Sequence, residues 1–337
     1  MFTRKDFNHL SNYFLAHEAE SRGYRVEKLY PETKLSHLVI SHKGQTEVII
    51  GQRPQGMSYN AYYICKHKHL TKKFLDGAGI RVPAGEKFAK KESAKALRYF
   101  DTIQKPVVIK PTDGLWGTAV CMNIATKKDA RNAIQTVCGV KKSFMSGSFL
   151  IEEQIEGKEY RILATRNKLL GIIHRIPANV VGDGKSTIAQ LIIKKNKDPR
   201  RGEKYERSLV KITVDPEMTR TLKDQGLTQR SVPEKGQQIF LRNNSNISAG
   251  GDSVDYTDKA HKKYAELAPK VIRAIPGLPY AGFDLITTDI TKDPEKNGYA
   301  IIEINDSPML SMHHEPFEGT PRNVSSAVID MLFTKNS

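Results

Sequence analysis

Apolar and polar positions alternate in short runs along most of this chain, and runs with helical spacing lie between them. Near the C-terminus "GYAIIEIN" alternates, so Ala300, Ile302 and Ile304 are expected on one side of a sheet and Ile301, Glu303 and Asn305 on the other. The stretch before it, "AGFDLITTDI", forms a neighbouring strand and carries Asp284. At the other end Phe7, Leu10 and Phe14 have helical spacing, in a helix that stops near Gly23. "SHLVISHK" and "TEVIIGQR" read as strands joined at a "KGQ" turn. "KHLTKKFLDGAG" reads as a helix, "KPVVIKP" as a strand closed by Pro111, "DGLWGTAV" as a glycine-flanked loop and "ATKKDARNAIQTV" as a helix. "SFLIEEQI" and "KEYRILAT" are strands on either side of Gly157; "KLLGIIHRIPANVV" is a further strand and "STIAQLIIKKN" a helix. A long, polar, turn-rich region then leads to the helix "DKAHKKYAELAPKVIRAI". Strands and helices mix without regular βαβ alternation, which predicts an α+β fold with largely antiparallel sheets.

The chain has 337 residues, enough for two or three subdomains. Apolar residues make up 39%, charged residues 27%, and mean hydropathy is −0.48, the balance of a soluble globular protein. No apolar run approaches the roughly 20 residues of a membrane helix, so no membrane partner is expected. The N-terminus, "MFTRKDFNHLSNYFLAHEAE", has acids and histidines where a secretion signal would be apolar. Cys65, Cys121 and Cys138 are widely spaced without a C-x-x-C pair, which fits reduced thiols and a cytoplasmic location. The net charge of +16 calls for anionic partners. The densest basic stretch, "KKNKDPRRGEKYER" from Lys194 to Arg207, reads as a solvated loop and helix end. No zinc-finger or RNP-type motif is present, and no nucleic-acid partner is expected.

Candidate chemistry clusters in a few strings. Glu303 and Asn305 on a half-buried strand face cost stability unless something compensates, and a hard divalent cation would do so. Magnesium takes oxygen ligands, and Asn305 adds oxygen without charge; alone, the pattern fits a solvated edge strand better. Lys110 ends an apolar strand just before a glycine-containing loop, where it can neutralise a phosphate while loop amides bind its oxygens. Trp116 lies in that loop. In "FLIEEQIEGKEYRI", Leu150 and Glu152 share one face, and Glu159 and Arg161 another. Acids flanking such a turn suit an adenine amino group and ribose hydroxyls, with a Glu159–Arg161 ion pair as the structural alternative. "NVVGDGKST" holds the tail of a phosphate loop, but Asn179 stands where the first glycine belongs. It reads instead as a tight turn, with Ser186 or Thr187 capping a helix. His313 and His314, adjacent on an extended segment, point opposite ways and read as packing residues, not zinc ligands.

Taken in order, "VVIKP", "FLIEEQIEGKEYRIL", "HRIPANVVGDGKSTIAQLI", "LRNNSNISAGGDSVDYTD", "AGFDLI" and "IIEINDSPMLSMHHEPFEGTPRN" resemble the ATP-grasp superfamily of carboxylate–amine ligases. The resemblance is strongest to the ligase module of bifunctional glutathione synthetases and the ATP-grasp region of cyanophycin synthetases. It runs from "KHKHLTKKFLDGAGIRVPAG" to "VIDMLF". It implies two α/β subdomains clasping ATP, behind a small α/β subdomain of residues 1–66. The ATP-grasp domain then covers 67–334, with a small lobe at 105–156 and a C-terminal lobe at 157–334.

The resemblance also implies roles. Lys68 and Lys110 would contact ATP phosphates; Glu152, Glu153 and the backbone near Ile155 would recognise adenine, and Glu159 the ribose. Asp284, Glu303 and Asn305 match the family's ligands for a pair of magnesium ions, with manganese as a substitute. Arg175 and Arg242 match anion-binding residues for phosphate or acyl substrate. A substrate carboxylate would attack the γ-phosphate of ATP, and an amine would displace phosphate from the acyl-phosphate. "TDGLWG" and "RRGEKYERS" are candidate lids against hydrolysis. The expected substrates are ATP with an amino acid or short peptide: γ-glutamylcysteine plus glycine first, then aspartate or arginine addition. A homodimer is the default assembly.

Three features depart from the family. Neither the second half of the bifunctional enzyme nor that of cyanophycin synthetase is present, so a free-standing ligase is expected. Gly282 stands where D-alanine–D-alanine ligases have arginine, and Pro308-Met309 where they have Pro-Gly. The alternative from another class is a basic anion- or nucleic-acid-binding protein on a degenerate ATP-grasp scaffold. The lysines, acids and expected metal ligands at the matching positions argue against it.

Overall fold

His9 caps the first helix by accepting a hydrogen bond from Ser11 N at 3.3 Å, and α1 (Leu10–Ser21) starts there. The computed structural model describes all residues except 31, 33–36, 114–118, 140–146 and 335–337. The buried face of α1 is Leu10, Leu15, Ala16 and Ala19, whereas Phe14 stacks on His314 with ring centroids 4.0 Å apart. Beneath it, β1 (Arg25–Lys28), β2 (His37–His42), β3 (Gln45–Ile50) and β4 (Arg53–Pro54) pair in sequence order, all antiparallel. The expected turn between β2 and β3 holds Lys43 and Gly44 at positive φ, as a tight hairpin requires.

Two helices follow, α2 (Tyr59–Lys66) and α3 (Lys68–Gly77). The first escaped the hydrophobic pattern because only Ala61, Ile64 and Cys65 of it are buried. Next comes a second sheet from β5 (Gly85–Ala89), α4 (Ser93–Thr102), β6 (Val107–Pro111), β7 (Cys121–Ile124), α5 (Lys127–Gly139) and β8 (Ser148–Glu153). Its strand order is β5-β8-β6-β7, and α4 and α5 bury Ala96, Phe100, Ala130 and Ile134 against Phe88, Ile109, Phe149 and Ile151. Every residue of β6 is buried, Lys110 included.

β9 (Lys158–Thr165) and β10 (Leu169–Ile176) open the central sheet. The single strand expected from Lys168 to Val181 breaks at Pro177, which lacks the N–H a ladder needs. The chain resumes as β11 (Asn179–Val181) in a different sheet and enters a small unit of α6 (Ile188–Lys195), β12 (Arg201–Gly202), β13 (Leu209–Val210), α7 (Pro216–Asp224) and β14 (Gln238–Phe240). Part of it has its own core, built from Val180, Ile188, Leu191, Met218, Leu222 and Ile239. β15 (Asp252–Asp255), α8 (Lys263–Arg273), β16 (Tyr280–Thr287), α9 (Pro294–Asn297), β17 (Ala300–Asn305), α10 (Ser311–His314) and α11 (Val324–Phe333) complete the chain.

The central sheet runs β15-β10-β9-β16-β17, antiparallel throughout. Tyr160, Ile162, Phe283 and Leu285 pack one face against Tyr264, Ala268 and Ile272 of α8, in a core that also takes in Ala61 and Ile64 of α2. Leu163 and Tyr280, from the same sheet, join Leu38, Ile40 and Ile49 of the N-terminal sheet and Val328 of α11 in another core. The alternation expected in β17 is interrupted. Asp284 pairs with Glu303, but Leu285 pairs with Ile301, so Ile302 is an extra residue. Ile301 therefore joins Ile304 in the core instead of sharing the face of Glu303 and Asn305. No helix of the described residues is long and apolar enough to cross a membrane.

Candidate active site

The pairing of β9, β16 and β17 sets Asp284 directly across from Arg161 on one side and Glu303 on the other. Asp284 is buried, and both its oxygens meet guanidinium groups. Arg161 donates from Nε to Oδ1 at 2.5 Å and from Nη2 to Oδ2 at 3.1 Å, and Arg175 Nη2 donates to Oδ2 at 2.7 Å. Burial alone would push the Asp284 carboxyl up; the two arginines reverse this and hold it well below the usual carboxylate range. Arg175 Nη2 also meets Glu159, whose other oxygen accepts from Ser245 Oγ. The Glu159–Arg161 pair suggested by alternation does not form. Glu159 reaches Arg175 on β10, because the ladder places Asp284 beside Arg161.

Glu303 lies 3.1 Å from Lys68 Nζ. The Asn305 amide satisfies its neighbours when its nitrogen donates to Glu303 Oε1 at 3.2 Å and its oxygen accepts from Arg161 Nη2 at 3.1 Å. The reverse orientation would set the amide oxygen against Glu303 Oε1, two acceptors that a cation between them would hold together. Asp284, Glu303 and Asn305, the expected metal ligands, thus lie on adjoining strands, with Asp284 paired to Arg161 and Arg175 and Glu303 to Lys68. Among the described residues no group of three or more His, Cys, Asp and Glu side chains could hold a metal ion.

A second cluster lies on the other sheet. Buried Glu152 of β8 makes salt bridges to Lys110 of β6 and Lys72 of α3, one to each oxygen. Burial would raise the Glu152 carboxyl, and the two lysines bring it below its ordinary value. Burial depresses Lys72 to about 8, although Glu152 pulls the other way. Of the two lysines expected to reach the phosphates from two subdomains, Lys110 is here and Lys68 is at Glu303. The lysine that joins Lys110 is Lys72, one turn further along α3, and the helical spacing of "KHLTKK" was the signal for it. With both oxygens engaged, Glu152 is a counterion for the lysines. Glu153 keeps a half-buried carboxylate that accepts from Ala84 N at 3.0 Å, and Ile155 lies just beyond in the link to β9.

Other expected residues land elsewhere. Arg242 forms a two-pronged pair with Asp215, the capping residue of α7, and not with Asp284. The basic stretch is not simply solvated: Arg201 is buried against Asp252, and Arg200 Nη1 donates to the carbonyls of Pro316 and Phe317 at 2.8 and 2.9 Å. Those side chains answer buried acceptors that no local pattern announces. Trp116 and most of "TDGLWG" lie outside the described residues. In "GDGKST", Asp183 accepts from the amides of Lys185 and Ser186 at 3.0 and 2.7 Å, so a carboxylate fills the place a phosphate would take, and Thr187 caps α6. His313 and His314 sit on α10, not on an extended segment; His313 is buried and His314 Nε2 lies 2.8 Å from Ser325 Oγ.

Sequence reading passed over Arg161 as an anion-binding residue, and Gly282 explains its placement. A Cβ at position 282 would lie 3.0 Å from Arg161 Cδ and 3.1 Å from Pro308 Cβ. The missing side chain is the space through which Arg161 crosses from the adjacent strand.

No protein-family model matches the chain. It is 34% identical over 344 residues to the glutathione biosynthesis bifunctional protein of Clostridium perfringens, a match that covers 98% of this chain and 43% of that protein. It is 37% identical over 274 residues to the cyanophycin synthetase of Trichormus variabilis, covering 79% of this chain and 29% of that one. The crystal structure of a bifunctional glutathione synthetase from Pasteurella multocida superposes with a TM-score of 0.73 at 32% identity, over 97% of this chain and 44% of that one. The chain therefore spans less than half the length of these proteins. With its fold and its likeness along almost the whole chain, the protein belongs to the ATP-grasp family.

Proposed function

We propose that this chain is an ATP-dependent ligase that joins the carboxylate of an amino acid or short peptide to an amine through an acyl-phosphate, releasing ADP and phosphate. The observation that carries this reading is the pair of charge clusters linked by α3: Lys72 of that helix with Lys110 of one sheet, and Asp284, Glu303 and Asn305 on the other sheet. Lys72 and Lys110 bind the phosphates, Glu153 and the backbone near Ile155 meet adenine, and Glu159 takes the ribose. Glu152 holds the two lysines in place before the nucleotide arrives. Asp284, Glu303 and Asn305 would hold magnesium, which when bound screens the phosphate charge. Arg161 and Arg175 stabilise charge on the transferring group, and no side-chain nucleophile is needed. Arg242 is proposed as a cap for α7 with no part in the reaction.

The test is ADP release from a panel of amino acids and dipeptides offered in pairs, starting with γ-glutamylcysteine plus glycine and followed by mass spectrometry of the product. Folded protein that binds no ATP with magnesium, or that keeps full activity with Glu303→Ala and Asn305→Ala combined, would sink the reading. The excess positive charge supports the same reading, since ATP and both carboxylate substrates are anions.

A further inference from the structure

Beyond Asn305 the chain turns towards the N-terminal sheet, and two contacts fix it there. Ser307 Oγ donates to Gln52 Oε1 at 2.8 Å and accepts from Gln52 N at 3.2 Å. Asp306, whose side chain is 5% exposed, forms an ion pair with Arg53 Nε, and Lys66 Nζ lies 3.6 Å from its other oxygen. Tyr62 lies between the two cations: Arg53 Cζ is 5.4 Å and Lys66 Nζ 5.5 Å from its ring centroid. One buried carboxylate therefore faces two cations braced on one ring.

The cations have capacity left over. Among the described residues Arg53 meets an acceptor only through Nε, leaving Nη1 and Nη2 to face outward, and the side chain is 28% exposed. Lys66 is 31% exposed, and Asp306 at 3.6 Å is its anionic partner among the described residues. A planar guanidinium with both terminal nitrogens open is shaped for a carboxylate, and the neighbouring ammonium adds a second donor. The local charge selects the ligand. Two cations against Asp306 leave a single positive charge, which matches a monoanion; a polyphosphate would also meet Asp306. The site adjoins the proposed metal strand, since Asp306 follows Asn305 and Lys66 stands two residues before Lys68, the partner of Glu303.

We propose that Arg53, Lys66 and Tyr62 form the subsite that holds a spectator carboxylate of the amino-acid or peptide substrate, the one not converted to the acyl-phosphate. The proposal rests on the ligase reading and deepens it. It places the choice of substrate on the N-terminal sheet and α2, at the turn where this chain departs from the D-alanine ligase pattern.

The test pairs each substrate of the panel with its C-terminal carboxamide, in the wild type and in Arg53→Lys and Lys66→Ala. Both changes leave Asp306 a cationic neighbour, which guards the fold. The expected result is a rise in KM for the free acid of about tenfold in each variant, outweighing any fall in kcat, with KM for ATP unmoved and KM for the carboxamide little changed. A rise in KM for ATP instead, or full acid-over-amide preference retained in both folded variants, overturns the subsite. If the wild type releases no ADP with any pair, the ligase reading fails. Calorimetric titration with alanylalanine and alanylalaninamide then decides the subsite alone. Tighter binding of the acid that both variants abolish supports it; no preference in the wild type ends it.

Discussion

Lys68 and Lys72 stand one turn apart on α3 and reach carboxylates on two different sheets, Glu303 on β17 and Glu152 on β8. The helix thus ties the central sheet to the smaller one through two ion pairs. The Lys68 amide adds a third tie by donating to Thr112 O at 3.0 Å, just past the end of β6.

Lys72→Met should weaken ATP binding more than Lys68→Met, by roughly tenfold to a hundredfold, the range for a hydrogen bond to a charged group. Calorimetry with a non-hydrolysable ATP analogue measures it, and equal losses in the two variants would contradict the assignment of Lys72 to the phosphates.

The depressed Lys72 gives a pH signature. Its free ammonium titrates at about 8, and a bound phosphate stabilises the charged form. Nucleotide affinity should therefore fall as pH rises through that value, and binding near pH 8 should take up a proton. Calorimetry in two buffers of different ionisation enthalpy reads the uptake, which Lys72→Met should abolish.

Asp284 is predicted to be a keystone for stability as well as for metal. Asp284→Ala leaves Arg161 and Arg175 without their shared counterion, and breaking a buried pair costs about 3–5 kcal/mol. The folded carboxyl lies below its unfolded value, so its contribution is fully present above about pH 4 and is lost as pH falls towards the folded value. Urea unfolding from pH 6 down to 3 should show a smaller acid dependence in Asp284→Asn than in the wild type.

Gly282→Ala should displace Arg161, because the new methyl group meets both Arg161 Cδ and Pro308 Cβ. Overpacking of this kind costs about 1–3 kcal/mol, and turnover should fall further than stability alone explains. Thermal unfolding beside steady-state kinetics separates the two, and an unchanged kcat would show that Arg161 has no part in the reaction.

His313 provides an acid-sensitive position outside the proposed site. It is buried, neither ring nitrogen has a partner among the described residues, and burial depresses it to about 3. The folded state therefore resists a proton that the unfolded chain accepts, so stability falls as pH drops below about 6.5 towards 3. His313→Phe should flatten that part of the profile in urea titrations between pH 7 and 4.

The sequence by itself determined the local pieces. Alternation and turn chemistry located β2, β3, β6, β8, β9, β16 and β17, and it marked Lys110, Glu303, Asn305 and Asp284 as unusual on apolar strands. Those properties depend on neighbours in the chain, where side-chain period and backbone preference act directly. Which charges meet was decided only by the tertiary structure. Strand order sets Arg161 beside Asp284, a bulge at Ile302 moves Ile301 to the core, and the approach of α3 to two sheets separates the partners of Lys68 and Lys72. Arg201 and Arg242 show the same limit, since each answers an acid on another element, Asp252 or Asp215. Electrostatic partnership depends on distance in space, and the period of a strand or helix carries no information about what lies across the sheet.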